Sequence, residues 1–263
     1  VKALREVGMP IDLVGGNSMG AIIGAGVAHA WDEATLRAAF RRAFVETNPL
    51  SDYTVPLVSL VGGRKVSRLL REAFGDVAIE DLWLPYFCVT ANLTRGVAAA
   101  HRSGPLWRWL RASVAIPGVL APVFDGGDVH VDGGVINNLP VDFMRDIGRG
   151  LVIGVDVVSD HTFTAKSEGA DLPPLWRLML PRGGKAVPGI LQILWRAGTV
   201  NSDAAAAALR NETDLLLQPS METIDLLNWK AFDRAVELGY RHAMAQLETM
   251  PRPVPGGGGV LPI

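Results

Sequence analysis

The sequence predicts an α/β fold, a three-layer helix–sheet–helix sandwich with a mainly parallel central sheet. Helical patterns alternate with short apolar runs typical of buried strands, and this alternation favours helices on both faces of a parallel sheet. No internal repeat is visible, and 263 residues suit one large domain with a substantial core. We expect residues 1–250 to form that domain and the proline- and glycine-rich residues 251–263 to be a disordered tail.

The first half of the chain contains five predicted helices and three predicted strands. Gly8 and Pro10 end the first helix, and Asp32 is placed to cap the third. An apolar run holds the single cysteine, Cys88, which we therefore expect in the core and without an internal disulfide. The predicted helices are 1–7, 19–30, 32–46, 65–74 and 105–113, and the predicted strands are 11–14, 86–93 and 97–101.

The second half begins with a hairpin signal. Two short alternating segments, 122–124 and 129–131, flank Asp125-Gly126-Gly127-Asp128, and Asp-Gly is a preferred tip of a two-residue hairpin. Residues 160–188 have no clear periodicity and are expected to be irregular. The remaining predictions are a helix ending near 147, helices over 190–209 and 229–247, and strands over 151–155 and 214–217.

Composition excludes some partners and leaves others open. A net charge of −2 and a pI near 6.2 provide no broad basic field, so we expect no nucleic-acid partner. No signal peptide and no apolar run long enough for a membrane span is present. Apolar residues make up 49% of the chain and the mean hydropathy is +0.23, which suits a protein that rests on lipid. We expect a cytoplasmic location or a peripheral one at a membrane surface.

The chain begins inside a predicted helix. Residue 1 is Val1 rather than methionine, and no capping residue precedes the apolar spacing of residues 1–7. We therefore expect the domain to be N-terminally incomplete.

Residues 11–24 are the stretch around which the remaining chain is organised. An apolar run stops at two glycines, presents one serine in Gly16-Asn17-Ser18-Met19-Gly20, and resumes as a helix of small residues. This G-x-S-x-G layout between a strand and a helix is typical of a nucleophile elbow, although serines flanked by glycines also occur in ordinary turns. A phosphate-binding loop is excluded, because Ala21 stands where its lysine must be and no G-x-G-x-x-G is present.

A serine nucleophile requires a base, and histidine is the usual one. His29 follows Ser18 too closely in sequence to reach it, and His242 lies among apolar residues of the last predicted helix. His161, in the irregular stretch, is the best candidate for a conventional triad. The alternative for each of the five histidines is a surface or partly buried residue with no catalytic role, and this alternative is favoured; they are His29, His101, His130, His161 and His242.

Asp132 is the stronger candidate for the base. It ends a predicted strand, and Gly133 and Gly134 leave room for another backbone to approach. The alternative is an aspartate that only closes a turn. Asp125 is also followed by two glycines, but it lies at the predicted hairpin tip, where we expect a hydrated carboxylate far from Ser18.

The elbow and the Asp132 segment together resemble the paired motifs of patatin-like phospholipases. The elbow motif and residues 131–140, VDGGVINNLP, occur in the order found in that family. Residues 82–87, 106–113 and 229–233 resemble the catalytic domain of its neuropathy target esterase branch. The resemblance implies a Ser–Asp dyad of Ser18 and Asp132, acting on phospholipid or lysophospholipid esters without a metal or organic cofactor. It also implies that upstream sensor domains are possible.

This sequence departs from the family pattern in one respect. The glycine-rich oxyanion turn and the strand that precede the nucleophile in the family do not occur before Val1, so we expect a sheet lacking its first strand and a turn of this kind further upstream. Without that turn, the alternative to an active esterase is a catalytically incompetent domain with a lipid-binding or regulatory role.

Two segments rich in tryptophan and leucine are candidates for contact with lipid. Residues 172–180 and 190–195 combine these side chains with nearby arginine, as interfacial segments do, although 190–195 also suits an ordinary core helix. We expect peripheral membrane contact and a preference for long-chain lysophospholipids.

Overall fold

The computed structural model describes residues 1–148, 150–157, 190–220 and 229–249. It has α/β architecture, as the sequence predicts. The helices are α1 (Lys2–Glu6), α2 (Ser18–Ala28), α3 (Glu33–Phe40), α4 (Arg64–Phe74), α5 (Leu106–Ser113), α6 (Val141–Ile147), α7 (Ile190–Arg210) and α8 (Phe232–Thr249). The strands are β1 (Val14–Asn17), β2 (Tyr86–Asn92), β3 (Val97–His101), β4 (Val123–Asp125), β5 (Asp128–Asp132), β6 (Ile153–Val155) and β7 (Leu215–Leu217).

Four short helical turns complete the described secondary structure. A π-helical turn, Arg41–Glu46, continues directly from α3, and 3₁₀ turns cover Ile79–Asp81, Gly133–Val135 and Trp229–Ala231. The helix predicted over 32–46 is thus an α-helix followed by a π-helical turn. Its N-terminus is as expected, because the Asp32 side chain accepts a hydrogen bond of 2.7 Å from Thr35 N.

β2 is the centre of a five-stranded sheet. β1 pairs with it in parallel, whereas β3 and β5 pair with it antiparallel, and β4 pairs antiparallel with β5. All seven residues of β2 are buried, since the strand has neighbours along its length and helices above and below. Among the described strands β1 lies at an edge of this sheet, and the additional strand expected beside it remains a prediction.

Helices cover both faces of the sheet. On one face α2 and α5 pack on β2, and α3 and α4 lie outside them; Ala21, Cys88 and Leu110 are fully buried there. On the other face the ring of Phe143 in α6 lies 6.3 Å from that of Phe87, and α7 packs beside the Gly133–Val135 turn. Cys88 is in the core, as expected.

A second, smaller parallel pair lies apart from the main sheet. β6 pairs with β7 in the register Ile153↔Leu215, and α1 and α8 pack around it through Ala3 and Leu247. The expected strands over 151–155 and 214–217 are both present in shortened form.

The sheet is mixed, where we expected a mainly parallel one. A parallel connection needs a crossover of a dozen or more residues, whereas β2 and β3 are separated by residues 93–96 alone. β4 and β5 are joined by Gly126 and Gly127, both with positive φ, as in a tight hairpin. The expected strand over 11–14 is also shifted, because β1 pairs with β2 only from Val14 onward.

Several sequence-based expectations lie outside the described residues: the irregular stretch 160–188, the interfacial segment 172–180, His161 and the tail 251–263. In the parts that the structure describes, no helix combines the length and apolar character needed to cross a membrane.

Candidate active site

Ser18 lies at the junction of β1 and α2. Its φ of +48° is a left-handed conformation that non-glycine residues rarely adopt, at a cost of about 1–3 kcal/mol. The turn is also very tight, because a Cβ added to Gly16 would lie 2.8 Å from the carbonyl carbon of Gly20. A strained serine on a strand-to-helix turn with a glycine beneath it is the geometry expected of a nucleophile elbow.

Ser113 holds this elbow in place. Its fully buried hydroxyl accepts a hydrogen bond of 2.9 Å from Ser18 N and donates one of 2.7 Å to Val89 O. The side chain therefore connects the last residue of α5, the elbow and the central strand. This role was not predicted from the sequence, where the available signal was a serine at the end of the otherwise bulky helix 106–113.

The sheet brings Asp132 to the elbow. Asn17, the last residue of β1, is paired with Val89, and Asp132, the last residue of β5, is paired with Thr90. Because Val89 and Thr90 are consecutive, the C-terminal ends of β1 and β5 meet. The approach requires a glycine after Asp132: a Cβ on Gly133 would lie 2.5 Å from Val89 O and 3.0 Å from the Asn17 Cβ.

The carboxyl group of Asp132 is completely buried. Gly134 N donates a hydrogen bond of 2.9 Å to Oδ1, whereas Oδ2 has no hydrogen-bond partner among the described residues. Desolvation by burial raises the pKa of Asp132 to about 6, against smaller opposing effects from the Gly134 N–H and the Ser18 hydroxyl. The Ser18 hydroxyl is thus close enough to affect the carboxyl, although no hydrogen bond of standard geometry joins them.

Amide and hydroxyl side chains fix the turn after Asp132. Asn17 Nδ2 donates to Asn137 O at 3.2 Å and to Asn138 Oδ1 at 3.4 Å, linking the elbow to the turn. From α7, the buried Ser202 hydroxyl lies 2.6 Å from Gly134 O. Neighbouring elements therefore bond to the turn at Gly134, Asn137 and Asn138, and the Gly134 N–H points at the carboxyl.

Asp125 lies elsewhere. It ends β4 at the hairpin tip, opposite Asp128, with a side chain that is 41% exposed. Its Oδ1 forms an ion pair of 2.9 Å with Arg108 Nη2. The structure therefore separates the two Asp-Gly-Gly segments, one buried beside Ser18 and one on the surface, although the surface carboxylate is paired with arginine rather than only hydrated.

None of the four described histidines hydrogen-bonds Ser18 or Asp132. His101 Nε2 and His130 Nδ1 both contact Thr90 Oγ1, at 2.8 and 2.9 Å, beneath α5. His29 packs on aromatic rings, and His242 Nε2 accepts a hydrogen bond from Gln218 N. The described residues also contain no group of three or more His, Cys, Asp or Glu arranged to hold a metal ion.

Ser18 lines an apolar cavity of about 140 Å³. The other lining residues come chiefly from α2, from α3 with the π-helical turn, from α4 and from the segment 114–120. Its lining is almost entirely aliphatic and aromatic, with Met19 and Ile22 near Ser18 and Trp31 and Phe74 beyond the far end of α2. Trp31 and Phe74 stack with ring centroids 4.7 Å apart. The site can therefore place an extended apolar group against the serine.

The fold and the site define an α/β protein with a serine on a strained strand-to-helix turn beside a buried aspartate. The model of the patatin-like phospholipase family matches residues 1–145, more than half of the chain. The chain belongs to this family, and it is similar to members of the neuropathy target esterase branch.

Three relatives illustrate this branch. The chain is 35% identical over 258 residues to patatin-like phospholipase domain-containing protein 6 of Mus musculus, with 93% of this chain and 19% of that protein covered. It is 33% identical to lysophospholipase nte1 of Aspergillus niger (96% and 17% covered) and 31% identical to neuropathy target esterase sws of Drosophila melanogaster (95% and 18% covered). The chain thus spans less than a fifth of the length of these relatives.

Proposed function

We propose that this domain is a serine lipid hydrolase that cleaves acyl esters of phospholipids or lysophospholipids through a Ser18–Asp132 dyad. The observation that supports it most directly is the strained Ser18 at the mouth of an apolar cavity, beside a buried carboxyl with one oxygen free. The names of two relatives belong to the same class of enzyme as this proposal: one is a lysophospholipase and the other a patatin-like phospholipase domain-containing protein. No cofactor is required by this chemistry.

In the first step Ser18 Oγ attacks the ester carbonyl carbon and Asp132 takes the hydroxyl proton. A base works best when its pKa lies near the working pH, so a carboxyl with a pKa of about 6 is a better proton acceptor than an ordinary aspartate. Asp132 then gives the proton to the alcohol oxygen that leaves, which is that of the lysolipid or the glycerophospho-alcohol. The acyl group stays on Ser18 as an ester.

In the second step water attacks the acyl-enzyme carbonyl. Asp132 again accepts a proton, now from the water, and returns it to Ser18 Oγ as the fatty acid leaves. No histidine takes part in either step. The fixed turn of residues 132–138 keeps the carboxyl oriented through both.

The tetrahedral intermediate requires hydrogen-bond donors for its oxyanion. The Ser18 N–H is bonded to Ser113, so the Met19 N–H, in the first turn of α2, is the next backbone donor at the elbow. Loss of one such donor typically lowers the rate by about 10²–10³.

The apolar cavity is the site that we assign to the acyl chain. It begins at the nucleophile and is enclosed by α2, α3 and α4, so a fatty acyl group would exchange water for side chains such as Ile22, Phe40 and Leu70. Burial stabilises an apolar chain by about 0.8 kcal/mol per methylene. Long acyl groups are therefore favoured over acetyl groups.

Fluorophosphonate labelling and lysophospholipid turnover test this proposal with two matched aspartate variants. We expect Ser18→Ala to abolish both signals, and Asp132→Asn to lower turnover nearly as far, because members of a catalytic unit are strongly non-additive. Asp125→Asn is the control, since its carboxylate is paired with Arg108 on the surface, and most activity should remain. Activity that survives in Asp132→Asn, or a folded chain that neither labels nor turns over lipid, would overturn the dyad.

A further inference from the structure

The most exposed apolar side chains in the described chain are concentrated in one loop, residues 51–62, called here the docking loop. Tyr53, Val55, Leu57 and Val58 are 80%, 72%, 89% and 63% exposed. We propose that the docking loop inserts its apolar tip into the surface of a lipid membrane and delivers lipid substrate to the cavity. This inference rests on the proposed function only for the identity of the delivered molecule.

Hydrogen bonds hold the base of the docking loop in place. Gly62 N donates to Asp52 O and Thr54 N donates to Leu60 O, each at 3.0 Å, as in a short hairpin. Beneath the base the buried Arg111 side chain donates to Ala121 O at 2.8 Å, and Ala121 N donates to Val61 O. The tip between these contacts is thus held away from the core, and its exposure is a feature of the fold.

Basic residues flank the base of the loop. α4 begins directly after it, and Arg64, Arg68 and Arg71 are all exposed on that helix. The acidic residue Glu72 lies on the same helix and forms an ion pair of 3.7 Å with Arg68. Apolar residues that project beyond a set of arginines are typical of interfacial binding, because the arginines meet anionic headgroups as the apolar residues enter the acyl region.

The loop is continuous with the wall of the cavity. Pro49 and Leu50, which precede it, line the cavity, and Leu60 N donates to Gly118 O beside the lining residues Ile116 and Leu120. A lipid drawn from a membrane at the tip would therefore meet the cavity that opens at Ser18. A protein partner would explain the exposed side chains but not this continuity.

The start of α7 extends the same apolar surface. Ile193 and Leu194 are 46% and 50% exposed, and Leu194 lies 3.6 Å from the position of a Cβ on Gly118, the residue that bonds to Leu60. Both side chains are exposed, as an interfacial role of residues 190–195 requires, and that role stays a prediction. The docking loop, which the sequence analysis treated as an ordinary loop, is the larger part of the surface.

Vesicle flotation of the chain tests the proposal. Phosphatidylcholine vesicles are compared with vesicles that contain about 30% phosphatidylserine, at low and raised salt. We expect the chain to float with both kinds and more strongly with the anionic ones. Leu57→Asp with Val58→Asp should lower the bound fraction about tenfold or more, and Arg64→Gln with Arg68→Gln should remove the preference for anionic lipid and its salt dependence.

Two controls separate docking from folding and from catalysis. Trp83→Asp changes a side chain that is 80% exposed elsewhere, and should float like the unchanged chain. Ser18→Ala should also float normally, so a failure of lipid hydrolysis would leave this proposal intact. The proposal is overturned if the unchanged folded chain does not float, if the loop variant floats equally well, or if the loop variant instead abolishes a concentration-dependent dimer.

Discussion

Asp132 is the residue whose ionisation we expect to set the pH dependence of turnover. Its pKa is raised to about 6, chiefly because the carboxyl is fully buried. Only the ionised carboxylate can accept the Ser18 proton, so kcat/KM for a water-soluble ester should rise with pH and level off above a midpoint near 6. A pH–rate profile that stays flat between about 5 and 8 would show that another group is the base.

The same burial predicts that Asp132 destabilises the fold at neutral pH. Its pKa is 3.8 in an ordinary setting and about 6 when folded, so between these values the folded chain holds a proton that the unfolded chain has released. Stability therefore falls as pH rises through this window. A difference of this size corresponds to about 3 kcal/mol above the folded pKa.

Asp132→Asn should consequently unfold at higher denaturant concentration than the unchanged chain. An asparagine can still accept the Gly134 N–H, and it never carries the buried charge. We expect the gain in unfolding free energy to grow between about pH 4 and 6 and to stay constant above about 7. Urea titrations at several pH values measure it. If Asp132→Asn is instead less stable at pH 7, the ionised carboxylate has stabilising partners beyond those that the described residues provide.

Ser113 shows how one helix controls the site. Ser113→Ala would leave the Ser18 N–H and the Val89 carbonyl without their buried partner, at a cost of about 1–3 kcal/mol. Because the elbow would lose its support, we also expect kcat to fall at least tenfold with little change in KM. Steady-state kinetics and thermal unfolding separate the two effects.

Ser67→Ala is the matched control for that experiment. The Ser67 hydroxyl donates to Gly63 O at the start of α4 and bonds to neither Ser18 nor Val89, so its removal should alter stability slightly and kcat hardly at all. Equal kinetic losses in the two variants would contradict a positioning role for Ser113.

At the scale of the whole molecule, the cavity between α2, α3 and α4 predicts a chain-length limit. Its volume is about 140 Å³, and its lining extends from Ser18 and Met19 to Trp31 and Phe74. A cavity of this size accommodates only part of a long acyl chain. For a series of lysophospholipids, kcat/KM should rise with acyl length by at most about fourfold per methylene and then level off.

Trp31→Ala should move that limit to longer chains, because Trp31 and Phe74 stack at the end of the cavity distant from Ser18. Phe74→Leu, a smaller change, should move it less. Trp83→Ala removes an exposed tryptophan and should leave the series unchanged. If the Trp31 and Phe74 variants lose activity equally at every chain length, the acyl chain occupies a different path.

The sequence by itself determined the class of fold, the strand-to-helix turn at Ser18, and the placement of Asp125 at a hairpin tip and of Asp132 at a strand end. These depend on local patterns: an apolar run broken by glycines around Ser18, a strand before Asp132 and a hairpin signal at Asp125. The family resemblance and the buried setting of Cys88 were likewise readable from short segments. The catalytic roles of Ser18 and Asp132 remain predictions.

Only the tertiary structure decided how these segments meet. The mixed pairing around β2 brings the ends of β1 and β5 together, and it depends on pairs such as Val14↔Tyr86 and Thr90↔Asp132, whose members are far apart in the sequence. Ser113 and Ser202 act through single hydroxyl groups that reach distant backbone, and a serine carries no local mark of its partner. The raised pKa of Asp132 and the exposure of the loop at residues 51–62 depend on burial, which is set by the packing of the whole chain.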